Sequence, residues 1–229
     1  SVARFLIERV ESKSLGEHSI VFYRGVEGSH AFISFAHQRI NAFLEQHRKK
    51  PEGNVQLPSN LYEQVRIAYS IPRVISIITI CDGQKMNLFP TDLHGAIGRE
   101  FYTGSLRIGG EACRQVEKHK RIVISEIDAS QFRKAYALGK RHMKPMTEPS
   151  EFDLDLQRSE IFNFPLPLGV GTYRELEVIE HFDIGIHRIF IYRVIHTRLT
   201  TDINTLTHIH RYYAQWRVNK KLETHFLFR

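Results

Sequence analysis

Between Ile71 and Ile108 the chain carries the pattern that most restricts its fold. Val74-Ile75-Ser76-Ile77-Ile78-Thr79-Ile80 is almost continuously apolar and β-branched. Such a run fits a strand buried on both faces better than the single stripe of a surface helix. Asp82-Gly83 follows, a pair suited to positive φ and so to a hairpin turn. The returning strand ends in Asn87-Leu88-Phe89-Pro90-Thr91-Asp92. Pro90 has no N–H to give a ladder, so the strand must leave its sheet there and expose polar groups. Phe101 to Ile108 reads as the next strand, and Gly109-Gly110 opens a helical pattern that runs to about Lys120. Short strands, tight turns and few helices imply antiparallel pairing instead of βαβ units.

Upstream, Phe5 to Glu11 and Gly16 to Val26 read as two strands, and they have a counterpart far along the chain. Laid without gaps, Glu8, Glu11, Gly16, His18, Ile20, Tyr23 and Arg24 match Glu177, Glu180, Gly185, His187, Ile189, Tyr192 and Arg193. Shared Gly-x-His and Tyr-Arg pairs in one register suggest a partial internal repeat. Ala31 to Lys50 reads as a helix with a stripe of Phe32, Phe35, Ala36, Ile40, Phe43 and Leu44. Arg48-Lys49-Lys50 suits its C-terminal dipole, and Pro51-Glu52-Gly53-Asn54 ends it. Asn60 and Glu63 form a capping-box pattern for a short helix to Tyr69. Downstream, Arg121 to Ile127 is a strand, Asp128-x-x-Gln131 caps a helix to about His142, and Met143 to Phe164 is loop-like. Strands follow at Glu175–Glu180 and Gly185–Ile195, then a near-helical segment from Thr207 to Leu222.

The chain has 229 residues, 42% of them hydrophobic and 11% aromatic, enough for one large domain. No apolar run approaches the ~20 residues of a membrane helix. No signal-peptide pattern opens the sequence, and Cys81 and Cys113 are isolated thiols without metal-ligand spacing, so a cytoplasmic protein is expected. The formal charge of +7 comes with 13 histidines. The basic residues are scattered, and no cationic stripe with interleaved stacking aromatics marks a nucleic-acid surface. His208-x-His210 is a poor metal spacing, and P-loop, GxSxG, HExxH and GxGxxG patterns are absent.

The ordered set of Asp-Gly turn, Asn-x-x-Pro-Thr, Ser105-x-Arg107, Gly139-Lys140-Arg141 and Gly185-x-His187-x-x-Phe190-Ile191 resembles the flavin reductase-like, FMN-binding split-barrel family over roughly 71–216. The resemblance implies a mainly β split barrel with helices. Residues 71–229 would form the barrel and 1–70 an N-terminal extension of a hairpin and two helices. It also implies FMN as cofactor, NAD(P)H as reductant and a homodimer. By resemblance, Asn87, Phe89, Thr91 and Asp92 would meet the flavin ring and ribityl chain, and Ser105, Arg107, Gly109 and Gly110 the phosphate. Lys140 and Arg141 would border the site, and His187 would position substrate or polarise the flavin. The chemistry agrees, since a phosphate favours an Arg fork and a helix N-terminus. The same residues also read as a surface arginine beside a helix start, a cationic helix C-terminus and a strand histidine bonded to a carbonyl. Asp92 replaces the small hydroxyl residue usual there, and a carboxylate beside the ring would oppose an anionic reduced flavin. The rival function is a non-catalytic ligand-binding or interaction protein of this fold.

Overall fold

The computed structural model describes residues 2–47, 57 and 59–222, and the expected cationic helix end at 48–50 and the breaker at 51–54 lie outside them. The chain divides into two compact units, residues 1–72 with 209–229, and 73–208. Residues 209–222, expected with the barrel, therefore cluster with the N-terminal segment.

The second unit is built on a seven-stranded antiparallel sheet. A short strand β3 (Arg73–Val74) precedes β4 (Ser76–Cys81), β5 (Met86–Thr91), β6 (His94–Ile97), β7 (Phe101–Arg107) and β8 (Arg121–Ile127). β9 (Leu154–Arg158) and β10 (Pro165–Pro167) form a small separate ladder, and β11 (Val170–Ile184) and β12 (His187–Leu199) form a long hairpin. The sheet order is β5-β4-β8-β11-β12-β7-β6. Its two edge strands, β5 and β6, are successive in the chain and joined only by Asp92 and Leu93. Among the described residues no ladder closes that seam. The unit is therefore mainly β, with its sheet open between β5 and β6.

β4 shows why the sequence run is apolar throughout. Every residue of it is buried. Ile77 joins one core cluster with Leu88, Val123, Leu166 and Tyr173, while Ile78 and Ile80 join another with Phe89, Ile124, Leu176 and Phe190. At its end Asp82 Oδ1 accepts the N–H groups of Gln84 (3.0 Å) and Lys85 (2.7 Å), and Gly83 takes φ +99°. The turn residues are thus used as their chemistry predicts.

Helix α3 (Glu111–His119) lies between β7 and β8 in the chain. The expected helix from Asp128 to His142 is instead a 3₁₀ turn (Ala129–Gln131), a short helix α4 (Phe132–Ala137) and a second 3₁₀ segment (Leu138–Met143), with Asp128 capping the first turn through Ser130 N. β13 (Thr207–His208) pairs with β3. The buried carboxylate of Glu175, on β11, accepts the N–H groups of Ile161 and Phe162 and so ties the loop before β10 to the sheet.

The first unit begins with the hairpin β1 (Ala3–Leu15) and β2 (His18–His30). It is the backbone twin of β11–β12. Ala3↔His30 and Leu15↔His18 correspond to Thr172↔Leu199 and Ile184↔His187. The register breaks after Leu6 and Arg9 in one, and after Glu175 and Val178 in the other. Gly16 and Gly185 make the turns at the same φ, +58°. The repeat read from the sequence therefore extends to both bulges.

Helix α1 (Phe35–His47) starts at Phe35 and not at the expected Ala31, and it buries none of its described residues. Helix α2 (Leu61–Ala68) does start after Asn60, but not through a capping box. Asn60 instead holds the backbone of Gly28, accepting its N–H (2.6 Å) and donating to its carbonyl (2.8 Å). Glu63 turns to His30 and Arg66. The tertiary partners outcompete the local cap. Helix α5 (Arg211–Asn219) completes this unit, its Tyr212 hydroxyl accepting from Asn41.

Candidate active site

The seam of the sheet places several polar groups around one cleft of about 250 Å³. Phe89, Pro90 and Thr91 reach it from the end of β5, and Asp92 and Leu93 from the link to β6. Ser105, Leu106 and Arg107 come from the end of β7, and His187 from the start of β12. Pairing of β7 with β12 sets His187 directly opposite Arg107. Gly110, Ala112 and Cys113 form the wall at the start of helix α3 (Glu111–His119), and His142 closes the remaining side.

Arg107 is half-buried, and its guanidinium makes no hydrogen bond or ion pair with any described residue. Ser105 Oγ and His187 Nδ1 share a hydrogen bond of 3.0 Å. Burial, and then the neighbouring Arg107 guanidinium, hold the His187 pKa below its ordinary 6.5, so the imidazole is neutral at pH 7. The first-turn N–H groups of α3 have no partner within the helix and carry the positive end of its dipole. Gly110 N itself is used, donating to Arg107 O at 3.1 Å. The cleft thus offers one uncommitted cation, a hydroxyl, a neutral imidazole and a helix N-terminus to an anion.

Four of the residues expected here stand elsewhere. Asn87 is fully buried, and its amide nitrogen donates to Gln115 Oε1 (2.9 Å) and the carbonyl of Arg141 (3.1 Å). Its nitrogen ties β5 to α3 and to the 3₁₀ segment, its Oδ1 is buried without a hydrogen-bond partner among the described residues, and the residue does not line the cleft. Gly109, at φ +78°, makes the turn into α3 and lends its carbonyl to Arg114 (2.8 Å). Arg141 pairs with Glu151 (2.8 Å) and lies over the Phe152 ring. Lys140 is exposed and does not line the cleft. Arg141 is thus engaged by Glu151 and Phe152, while its neighbour His142 lines the cleft.

Asp92 does line the cleft, but Arg73 Nη1 sits 2.7 Å from its Oδ2. That pairing offsets the charge expected to trouble a bound anion. Cys113 is buried, and burial raises its thiol pKa, so it is a wall residue and not a nucleophile. No group of three or more metal-ligating side chains occurs among the described residues.

A larger recess, about 520 Å³, lies within the first unit and contains Arg66. There the guanidinium is stacked on Tyr62 (4.0 Å) and Tyr212 (5.0 Å) and paired with Glu63 (2.7 Å). Its charge is already engaged, unlike that of Arg107.

No family model matches the sequence, and no curated protein matches it. Solved structures do. An NADH:FAD oxidoreductase of Streptomyces globisporus matches with TM-score 0.58 at 14% identity, covering 70% of this chain and 95% of that one. The flavin reductase component of a bacterial two-component tryptophan halogenase gives TM-score 0.57 at 16% identity, with 64% and 91% covered. An FMN-binding protein from Thermus thermophilus, with bound p-hydroxybenzaldehyde, gives 0.55 at 16%, with 72% and 93% covered. At such identities the likeness is one of architecture: the chain has the mainly β split-barrel fold of flavin reductases and FMN-binding proteins.

Proposed function

We propose that the chain binds a flavin phosphate, FMN, in the cleft at the seam and acts as an NAD(P)H-dependent flavin reductase. The observation that carries this reading is the uncommitted Arg107 guanidinium. It stands opposite His187 and beside the N-terminus of α3, in a fold whose solved examples include flavin reductases. The donor set fits a phosphate and the adjoining hydroxyls. The cleft is smaller than a whole-ligand pocket, so it suits the phosphate and ribityl end with the ring extending towards Thr91 and Asp92.

When bound, the flavin accepts hydride directly from a nicotinamide. The chain then needs no strong acid or base, which agrees with a neutral His187. Arg107, Ser105 and the α3 amides would fix the anionic end, and His187 would orient what lies against it. The Arg73–Asp92 pair would keep an unpaired carboxylate away from the ring.

A visible spectrum of the purified protein and FMN titration of the flavin-free chain test the binding. Anaerobic mixing with NADH or NADPH tests the activity. Bleaching of the oxidised-flavin bands supports a reductase. Tight FMN binding without bleaching by either nucleotide would leave a non-catalytic flavin-binding protein, and no FMN binding would remove the whole reading.

A further inference from the structure

The recess of the first unit is lined by a cation that its own fold satisfies only in part. Arg66, on α2, is 1% exposed. Glu63, one turn earlier, pairs with its Nη1 at 2.7 Å. The rings of Tyr62 and of Tyr212, on α5, take its flat surface, with centroids 4.0 and 5.0 Å from the guanidinium carbon. Its Nε and Nη2 are buried and have no hydrogen-bond partner among the described residues. Those two N–H groups point the same way along one edge of the planar group, spaced for the two oxygens of a carboxylate. Burying such donors unpaired is costly, and at 1% exposure water does not satisfy them. Folding thus leaves unfilled the edge best suited to bidentate recognition.

The surroundings narrow the ligand. At about 520 Å³ the recess is the size of a small-molecule site, roughly 300–1,000 Å³. Leu44 of α1 and the two tyrosines give it apolar and aromatic walls. Asn41 donates to the Tyr212 hydroxyl at 3.2 Å and so steadies that ring. Burial raises the Tyr62 pKa against the opposing pull of Arg66, so this phenol stays neutral at pH 7. Glu45 also lines the recess, and Glu63 already shares the Arg66 charge. A dianion such as phosphate would be repelled by both carboxylates with twice the force that a single negative charge meets.

We propose that this recess is a second ligand site, in the unit that does not contain the seam cleft, for a small aromatic monocarboxylate. The carboxylate would take the Nε–Nη2 edge of Arg66, and the ring would pack among Leu44 and the tyrosines.

The test is isothermal calorimetry of the full chain at pH 8, with benzoate as the probe, benzamide as its neutral isostere and inorganic phosphate as a competitor. One benzoate per chain is expected, bound at least about tenfold more tightly than benzamide. Arg66→Lys keeps the charge but removes the fork, and should weaken benzoate roughly tenfold. Leu44 is 56% exposed, so Leu44→Glu leaves folding intact while setting a like charge in the recess. It should weaken benzoate by at least about tenfold, and it decides the matter should Arg66→Lys fail to fold. Arg107→Ala should leave the benzoate titration unchanged. Absence of benzoate binding, equal binding of benzamide, or indifference to Leu44→Glu overturns the proposal. So does loss of benzoate on Arg107→Ala, which would put the anion in the seam cleft, and so does displacement of benzoate by phosphate.

Discussion

At the residue scale Arg107 governs the cleft's affinity for an anion, and two histidines govern the chain's response to pH. Replacing Arg107 by Ala removes a charge-assisted donor and should weaken FMN binding by roughly 1.5–3 kcal/mol. That is on the order of a 10- to 100-fold rise in Kd, read by fluorescence titration. Riboflavin, lacking the phosphate, should lose almost nothing, and equal losses for both ligands would take Arg107 out of the site. Histidine protonation sets the second expectation. His94 is pinned between the Tyr102 hydroxyl (2.7 Å) and the Val74 carbonyl (3.1 Å), and burial lowers its pKa, as it does that of His187. The unfolded chain therefore binds protons near pH 6.5 that the folded chain resists, and stability falls as pH drops through that value. Thermal denaturation midpoints should decline from pH 7.5 to 5.5, and His94→Gln should show a shallower decline from a lower starting midpoint. The Ser105-x-Arg107 and Gly-x-His motifs were legible because each residue type has one plain use at a strand end. Asn87 was not legible: nothing local says that an amide on a strand will be consumed by Gln115 and by carbonyls more than fifty residues away.

At the scale of elements, packing explains where the repeated hairpins diverge. A Cβ on Gly28 would come within 2.9 Å of the Gln64 backbone N and 3.0 Å of its Cα. The counterpart in β12 is Thr197, which is exposed and carries no helix. Glycine on β2 is thus the footprint of α2. Gly28→Ala should cost about 1–3 kcal/mol, typical of overpacking against unyielding backbone, whereas Thr197→Ala should be nearly neutral. Urea unfolding of both variants checks the contrast. The sequence revealed the β4 run, the Asp82-Gly83 turn and the start of α2, because each rests on local propensity. It missed the break of the 128–142 helix into 3₁₀ pieces and the true role of Asn60. Those depend on Asn87 drawing on the carbonyls of Arg141 and Lys144, and on Gly28 claiming the Asn60 amide.

For the whole molecule the distribution of buried apolar side chains is uneven. Both core clusters draw all their members from 75–206. β4 should therefore be among the slowest-exchanging segments and β1–β2 the fastest-exchanging strands, a ranking that native-state hydrogen exchange measures directly. Comparable protection of β1 and β4 would contradict it. The paired hairpins also give the chain its own internal standard. Turn geometry, register and both bulges are shared between β1–β2 and β11–β12, while side chains and neighbours differ. A difference in their opening rates, in one tube and under one condition, then reports what side chains and flanking strands together add to one β-ribbon geometry, a comparison that ordinarily requires two separate proteins.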